Sequence, residues 1–128
     1  MLKAGDTFLL PKPGRIEHLW IVLTIPDQDN KAVCVNVTSK RDDSDETLVL
    51  KPGDHPFITK ESVVHYEDAR VMDLTLVNQL LARGSDRFVC EQRECCTYAI
   101  LDRVRAGLLQ SKRTPTGIKR HCKDAWHL

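Results

Sequence analysis

The chain has 128 residues, which suits one domain and leaves little room for two. Apolar residues make up 41% and charged residues 29%, an ordinary globular balance that supports a packed core without disulfide or metal staples. With a formal net charge of +1, composition as a whole does not announce a nucleic-acid partner.

The opening Met1-Leu2-Lys3-Ala4-Gly5-Asp6 lacks the apolar stretch of a signal peptide. The longest apolar run, Leu19 to Leu23, falls far short of a membrane span. Both observations point to the cytoplasm. Five cysteines, an odd count, argue against a disulfide framework there. Cys34 falls in a strand-like apolar run and reads as a core residue.

In chain order, the first 70 residues read as β. Thr7 to Leu10 is a short strand preceded by Gly5-Asp6 and stopped by Pro11 and Pro13, with residues 11–15 forming an exposed loop. Leu19 to Thr24 is a continuous apolar, β-branched run, as expected of a central strand buried on both faces, and Trp20 belongs in the core. Pro26 to Asn30 is a turn cluster, Ala32 to Val37 the next strand, Thr38 to Glu46 a polar, acidic loop, and Thr47 to Leu50 a further strand closed by Pro52-Gly53-Asp54. Ser62 to Tyr66 and Ala69 to Met72 read as two last short strands. Short strands with turn signals about every ten residues suggest a small barrel.

The period then changes to helical. Leu74, Val77, Leu80 and Leu81 share one helix face, with Gly84 as the expected C-cap. Glu91 to Leu109 reads as a second helix whose end is blurred by Gly107, since glycine costs about 1 kcal/mol against alanine in a helix interior. Ser111 to Leu128, with Pro115, Gly117 and many charges, reads as a loosely ordered tail. From Asp102 onward there are seven basic residues (Arg103, Arg105, Lys112, Arg113, Lys119, Arg120, Lys123) against two Asp. Such an asymmetry marks either a polyanion-facing tail or a solvated surface.

From Leu19 to Ser39 the pattern resembles the MazF/PemK family. Its members begin with Gly-Asp and a short strand, follow with a strand of the form Arg-Pro-x-x-Val-x-Ser, and reach a Thr-Ser pair one strand later. Here Gly5-Asp6 precedes the first strand, His18-Leu19-Trp20-Ile21-Val22-Leu23-Thr24 stands where the second falls, and Val35-Asn36-Val37-Thr38-Ser39 carries the Thr-Ser pair. The segment from Ile58 to Met72, with Ser62-Val63-Val64, resembles a later family stretch reading Leu-x-x-x-Ser-x-Val. The resemblance covers roughly residues 4 to 82.

This resemblance implies a mainly β fold with C-terminal helices, a small SH3-like β-barrel of the MazF/PemK/CcdB type. Residues 1–84 would form the barrel with its closing helix, and residues 85–128 a C-terminal helix and basic tail packed on or extending from the same single domain. It implies a growth-inhibiting toxin acting as a metal-independent endoribonuclease on single-stranded RNA by 2′-hydroxyl attack, needing no cofactor. It also implies a homodimer and a cognate antitoxin partner. One departure stands out: the family's catalytic Arg aligns with His18, and the following proline with Leu19. An imidazole cannot reproduce the bidentate fork of a guanidinium. Either the chemistry is carried differently here, or the barrel is a non-catalytic module that binds a protein or nucleic acid.

In-line attack of a 2′-hydroxyl needs a base, an acid for the leaving oxygen, and donors or positive charge near the phosphate. Histidine serves the first two near neutral pH, and the chain has His18, His55, His65, His121 and His127. We assign His18 as base or acid, Thr38 and Ser39 as phosphate-orienting donors, and Arg15 or Lys40 as the electrostatic partner. The plain alternatives are a strand-edge histidine bonded to a backbone carbonyl and a turn-forming hydroxyl pair. In Pro52-Gly53-Asp54-His55-Pro56-Phe57 the prolines and glycine stiffen the backbone around an Asp-His pair. That makes His55 a further catalytic candidate, or the loop a rigid turn that inserts Phe57 into the core. His65, in a strand, reads first as a half-buried structural histidine. Cys90, Cys95, Cys96, His121 and Cys122 do not match a familiar zinc spacing. Trp126 either stacks on a base or partner or folds back over the barrel.

Overall fold

The computed structural model describes residues 1–11, 17–83 and 90–128. Six strands, β1 (Thr7–Pro11), β2 (Glu17–Val22), β3 (Lys31–Ser39), β4 (Val49–Leu50), β5 (Ser62–Asp73) and β6 (Glu91–Arg93), form one curled, half-barrel antiparallel sheet in the order β4-β5-β3-β2-β1-β6. Among the described residues three helices accompany it, α1 (Leu74–Arg83), α2 (Tyr98–Gln110) and α3 (Thr116–Ala125). The fold is thus mainly β with mostly C-terminal helices, as expected.

Strand alternation sorts the central residues onto two faces. On the first face Leu9, Leu19, Ile21, Val33, Val35, Val37, Val64 and Tyr66 meet Ile100, Leu101, Val104 and Leu108 of α2 and Cys122 of α3. On the second face Phe8, Trp20, Val22, Ala32 and Cys34 meet Leu74 and Val77 of α1. The continuous apolar run of β2 is explained by this arrangement: its residues feed both cores in alternation, and Leu19 to Val22 are all buried. The expected core residues Trp20 and Cys34 both lie in the second core.

The curl has a local cause in β5. Opposite β3, the pairing passes from Cys34↔Arg70 to Asn36↔His65, so Val35 alone faces the run from Tyr66 to Ala69. The surplus residues form a bulge, which bends and twists a strand. Two expected short strands are therefore one twelve-residue strand with a bend in it.

The C-terminal third differs from expectation in three places. Glu91–Arg93 is not helical; it pairs with the outer edge of β1, Thr7↔Arg93 to Leu9↔Glu91. The helix starts later, where the Thr97 hydroxyl accepts a hydrogen bond from Ile100 N at 3.2 Å. Gly107 does not blur α2, which continues to Gln110: a Cβ at Gly107 would lie 2.8 Å from Cζ of buried Tyr66 and nearer still to its hydroxyl. The stretch after Ser111 is not loose but forms α3, which buries Cys122 and packs Ile118 and Trp126 against the first core. Trp126 thus folds back over the sheet. Residues beyond 84 complete both the sheet and the core. The expected C-cap at Gly84 lies outside the described residues.

Candidate functional site

The expected site residues divide between the two faces. His18 pairs with Leu10 of β1, and one step beyond Leu19↔Val37 it stands opposite Thr38 of β3. Alternation puts both side chains on the second face, in step with Trp20 and Asn36. Thr38 continues the row to Val63 of β5. The His18 ring is anchored through Nδ1, 3.4 Å from the Val37 carbonyl oxygen. With Nδ1–H donated there, Nε2 is the basic nitrogen of the neutral ring.

Ser39 alternates to the first face, opposite Ser62. His55 also belongs to that side. It is only 3% exposed, and every polar atom of its ring is committed. Nδ1 accepts from Phe57 N at 3.0 Å, which fixes the tautomer with the proton on Nε2. Nε2 donates to the Glu94 carbonyl at 2.6 Å, and the Thr7 hydroxyl donates to the same oxygen at 2.7 Å. His55 therefore ties the loop before β5 to the β1–β6 edge. Asp54 does not orient it; its carboxylate accepts from Lys51 N at 2.8 Å and closes the turn.

Lys40 follows β3, and its ammonium is paired with Glu46 at 3.1 Å and Glu61 at 3.8 Å. The hydrogen bond and charge of Glu46, with the charge of Glu61, raise its pKa above the ordinary lysine value. Arg15 lies outside the described residues. Among the described residues, no group of three or more His, Cys, Asp or Glu is arranged to hold a metal ion.

Around His18 and Thr38 the second face carries polar residues that sequence reasoning did not single out. One row along, Trp20, Asn36 and His65 align across β2, β3 and β5. Asn36 is fully buried, and its Nδ2 donates to Asp68 Oδ2 at 2.7 Å. Asp68 holds Arg70 twice: its Oδ1 accepts from Nη2 and its carbonyl accepts from Nε at 3.1 Å. The Arg70 guanidinium lies over the Trp20 ring, 5.5 Å from the centroid. Asn36 Oδ1 is buried with no hydrogen-bond partner among the described residues. Such an acceptor costs about 1–3 kcal/mol relative to a satisfied one. Strand parity alone pairs His18 with Trp20 and Asn36 with Thr38. Asp68 and Arg70 join them only because the β5 bulge shifts parity there, which composition does not reveal.

Two of the seven basic residues of the C-terminal stretch are engaged within the fold. Arg105 lies over the Trp126 ring at 5.6 Å and donates from Nε to the Leu23 carbonyl, while Arg113 donates to the Asp43 carbonyl. Among the described residues no helix is long and apolar enough to cross a membrane. Compared with known proteins, the chain matches no family model and no curated protein.

Proposed function

We propose that the chain is a growth-inhibiting, SH3-like barrel of the MazF/PemK type that cleaves single-stranded RNA on its second sheet face. The observation that carries this reading is the meeting of His18 and Thr38 on adjacent strands and one face, twenty residues apart in sequence. His18 Nε2 takes the proton of a ribose 2′-hydroxyl as that oxygen attacks the neighbouring phosphorus. The Thr38 hydroxyl donates to a non-bridging oxygen. The bond from phosphorus to the 5′ oxygen breaks, leaving a 2′,3′-cyclic phosphate and a 5′-hydroxyl. In this reading His65, on the same face one row along, gives the leaving oxygen its proton. The family resemblance extends the reading to a homodimer neutralised by an antitoxin.

Growth of cells after induction, with RNA 5′ ends mapped, tests it. Wild type is expected to arrest growth and generate new sequence-selective 5′ ends, and His18→Ala and Thr38→Ala to abolish both. Abundant, folded wild type that produces neither arrest nor new ends overturns it. A second reading, a barrel that binds without cutting, is favoured by the placement of Ser39 and His55 on the opposite face and by the pairing of Lys40. It expects RNA or protein binding with no new ends.

A further inference from the structure

We propose that Arg70 is the phosphate-binding cation of the second-face site, with Asp68 and Asn36 as its positioning residues. This rests on the RNA reading above and names the positive group that position 18 lacks. Arg70 belongs to the row Val22, Cys34, Arg70, one row beyond Trp20 and two beyond His18. Its guanidinium does not stay in that row. It leans across β3 onto the Trp20 ring, and so toward the His18 end of the face.

The donors are divided in a way that suits a phosphate. Nε and one hydrogen of Nη2 go to Asp68, which leaves the Nη1 edge with no partner among the described residues. The side chain is 55% exposed, so that edge is reachable. A guanidinium presents a planar edge that matches phosphate oxygens, and the stacked ring fixes the plane.

Asn36 explains why this is more than a surface ion pair. A buried amide whose acceptor has no partner is held for its donor alone, and valine would fill that space with no orphaned oxygen. The donor holds Asp68, and Asp68 holds the guanidinium. The chain of contacts from β3 to Arg70 thus sets the direction of one cation.

The test is binding of a fluorescent single-stranded RNA oligonucleotide, read by anisotropy over a series of salt concentrations. Each phosphate contact to single-stranded nucleic acid contributes about −0.7 to the slope of log K against log salt. Arg70→Ala is expected to weaken binding about tenfold or more and to reduce the slope by about 0.7. Arg70→Lys should restore the slope but not the full affinity, because the charge returns without the fork. Asn36→Val should weaken binding severalfold although its side chain is buried, with circular dichroism confirming the fold. Lys123→Ala, on a helix packed against the other face, should change neither quantity. An unchanged slope in Arg70→Ala overturns the assignment while leaving RNA binding intact. No RNA binding by wild type even at low salt overturns both this assignment and the function it rests on.

Discussion

Gly107 sits where α2 crosses the Tyr66 ring, and the two residues define each other's roles. Tyr66 is fully buried, and its hydroxyl donates to the Val104 carbonyl at 2.8 Å. Burial pushes its phenol well above the ordinary tyrosine pKa. The ring is buried and tied by that hydrogen bond, so a methyl group at position 107 overpacks the contact. Gly107→Ala is expected to destabilise the protein by about 1–3 kcal/mol, although alanine is the better helix former by about 1 kcal/mol. Urea denaturation measures this; a stabilised variant would mean the helix does not press on Tyr66. The same residue shows why the sequence left the helix end open, since a glycine weakens a helix on propensity and permits it on packing. At the candidate site the legible part was local. His18 and Thr38 could be picked by type and order, and strand parity unites them. Asn36, Asp68 and Arg70 are ordinary residues whose relation exists only after β5 bulges.

At the level of elements, the strands were legible because each carries its own alternation and its own turn signals. β6 was not, since Glu91-Gln92-Arg93 has no apolar residue and becomes a strand only because β1 offers it an open edge. α3 was hidden by its charges, although Ile118, Cys122 and Trp126 recur at helical spacing. The acidic loop after β3 also proves to be fastened. Ser111, which caps the end of α2, donates from its hydroxyl to Asp45, and Arg113 reaches the Asp43 carbonyl at 2.9 Å. Burial of Asp45 acts to raise its pKa, but the hydroxyls of Ser111 and Thr47, the Thr47 N–H and the charge of Arg113 together hold it below the ordinary value of 3.8. A carboxyl depressed in the folded state contributes stability above its unfolded pKa and loses it as pH falls through the folded one. Asp45→Asn should therefore be less stable than wild type at pH 6 in urea titrations. That gap should close as pH is lowered below the ordinary carboxylate range. A gap of constant size from pH 6 to pH 2 would show that the latch does not depend on the charge.

For the molecule as a whole, one sheet separates two cores, and the helices that cover them come from different parts of the chain. Thiol chemistry reads that arrangement directly. Burial pushes Cys34 up to about 12 and Cys122 to about 11, the latter against the opposing charge of Arg105. Burial, with a smaller contribution from Cys95, pushes Cys96 to about 11. Cys95 itself is exposed. Brief treatment of the folded protein with iodoacetamide at pH 8, followed by peptide mass mapping, should label Cys95 and leave Cys34 and Cys122 until denaturant is added. Labelling of Cys122 as early as Cys95 would show that α3 does not stay docked. The pairing of β1 with β6 also sets an order in time. Gly5 accepts from Cys96 N at 2.8 Å, and Thr7 pairs with Arg93, so the beginning of the chain waits for residues made more than eighty positions later. At a synthesis rate of about 5–20 residues per second, the outer edge of β1 stays bare for roughly 4–17 seconds on every ribosome. During that interval the nascent chain presents an unpaired strand edge and a half-covered first core. The newborn protein is then most open to a chaperone, or to pairing with a neighbouring copy on the same messenger.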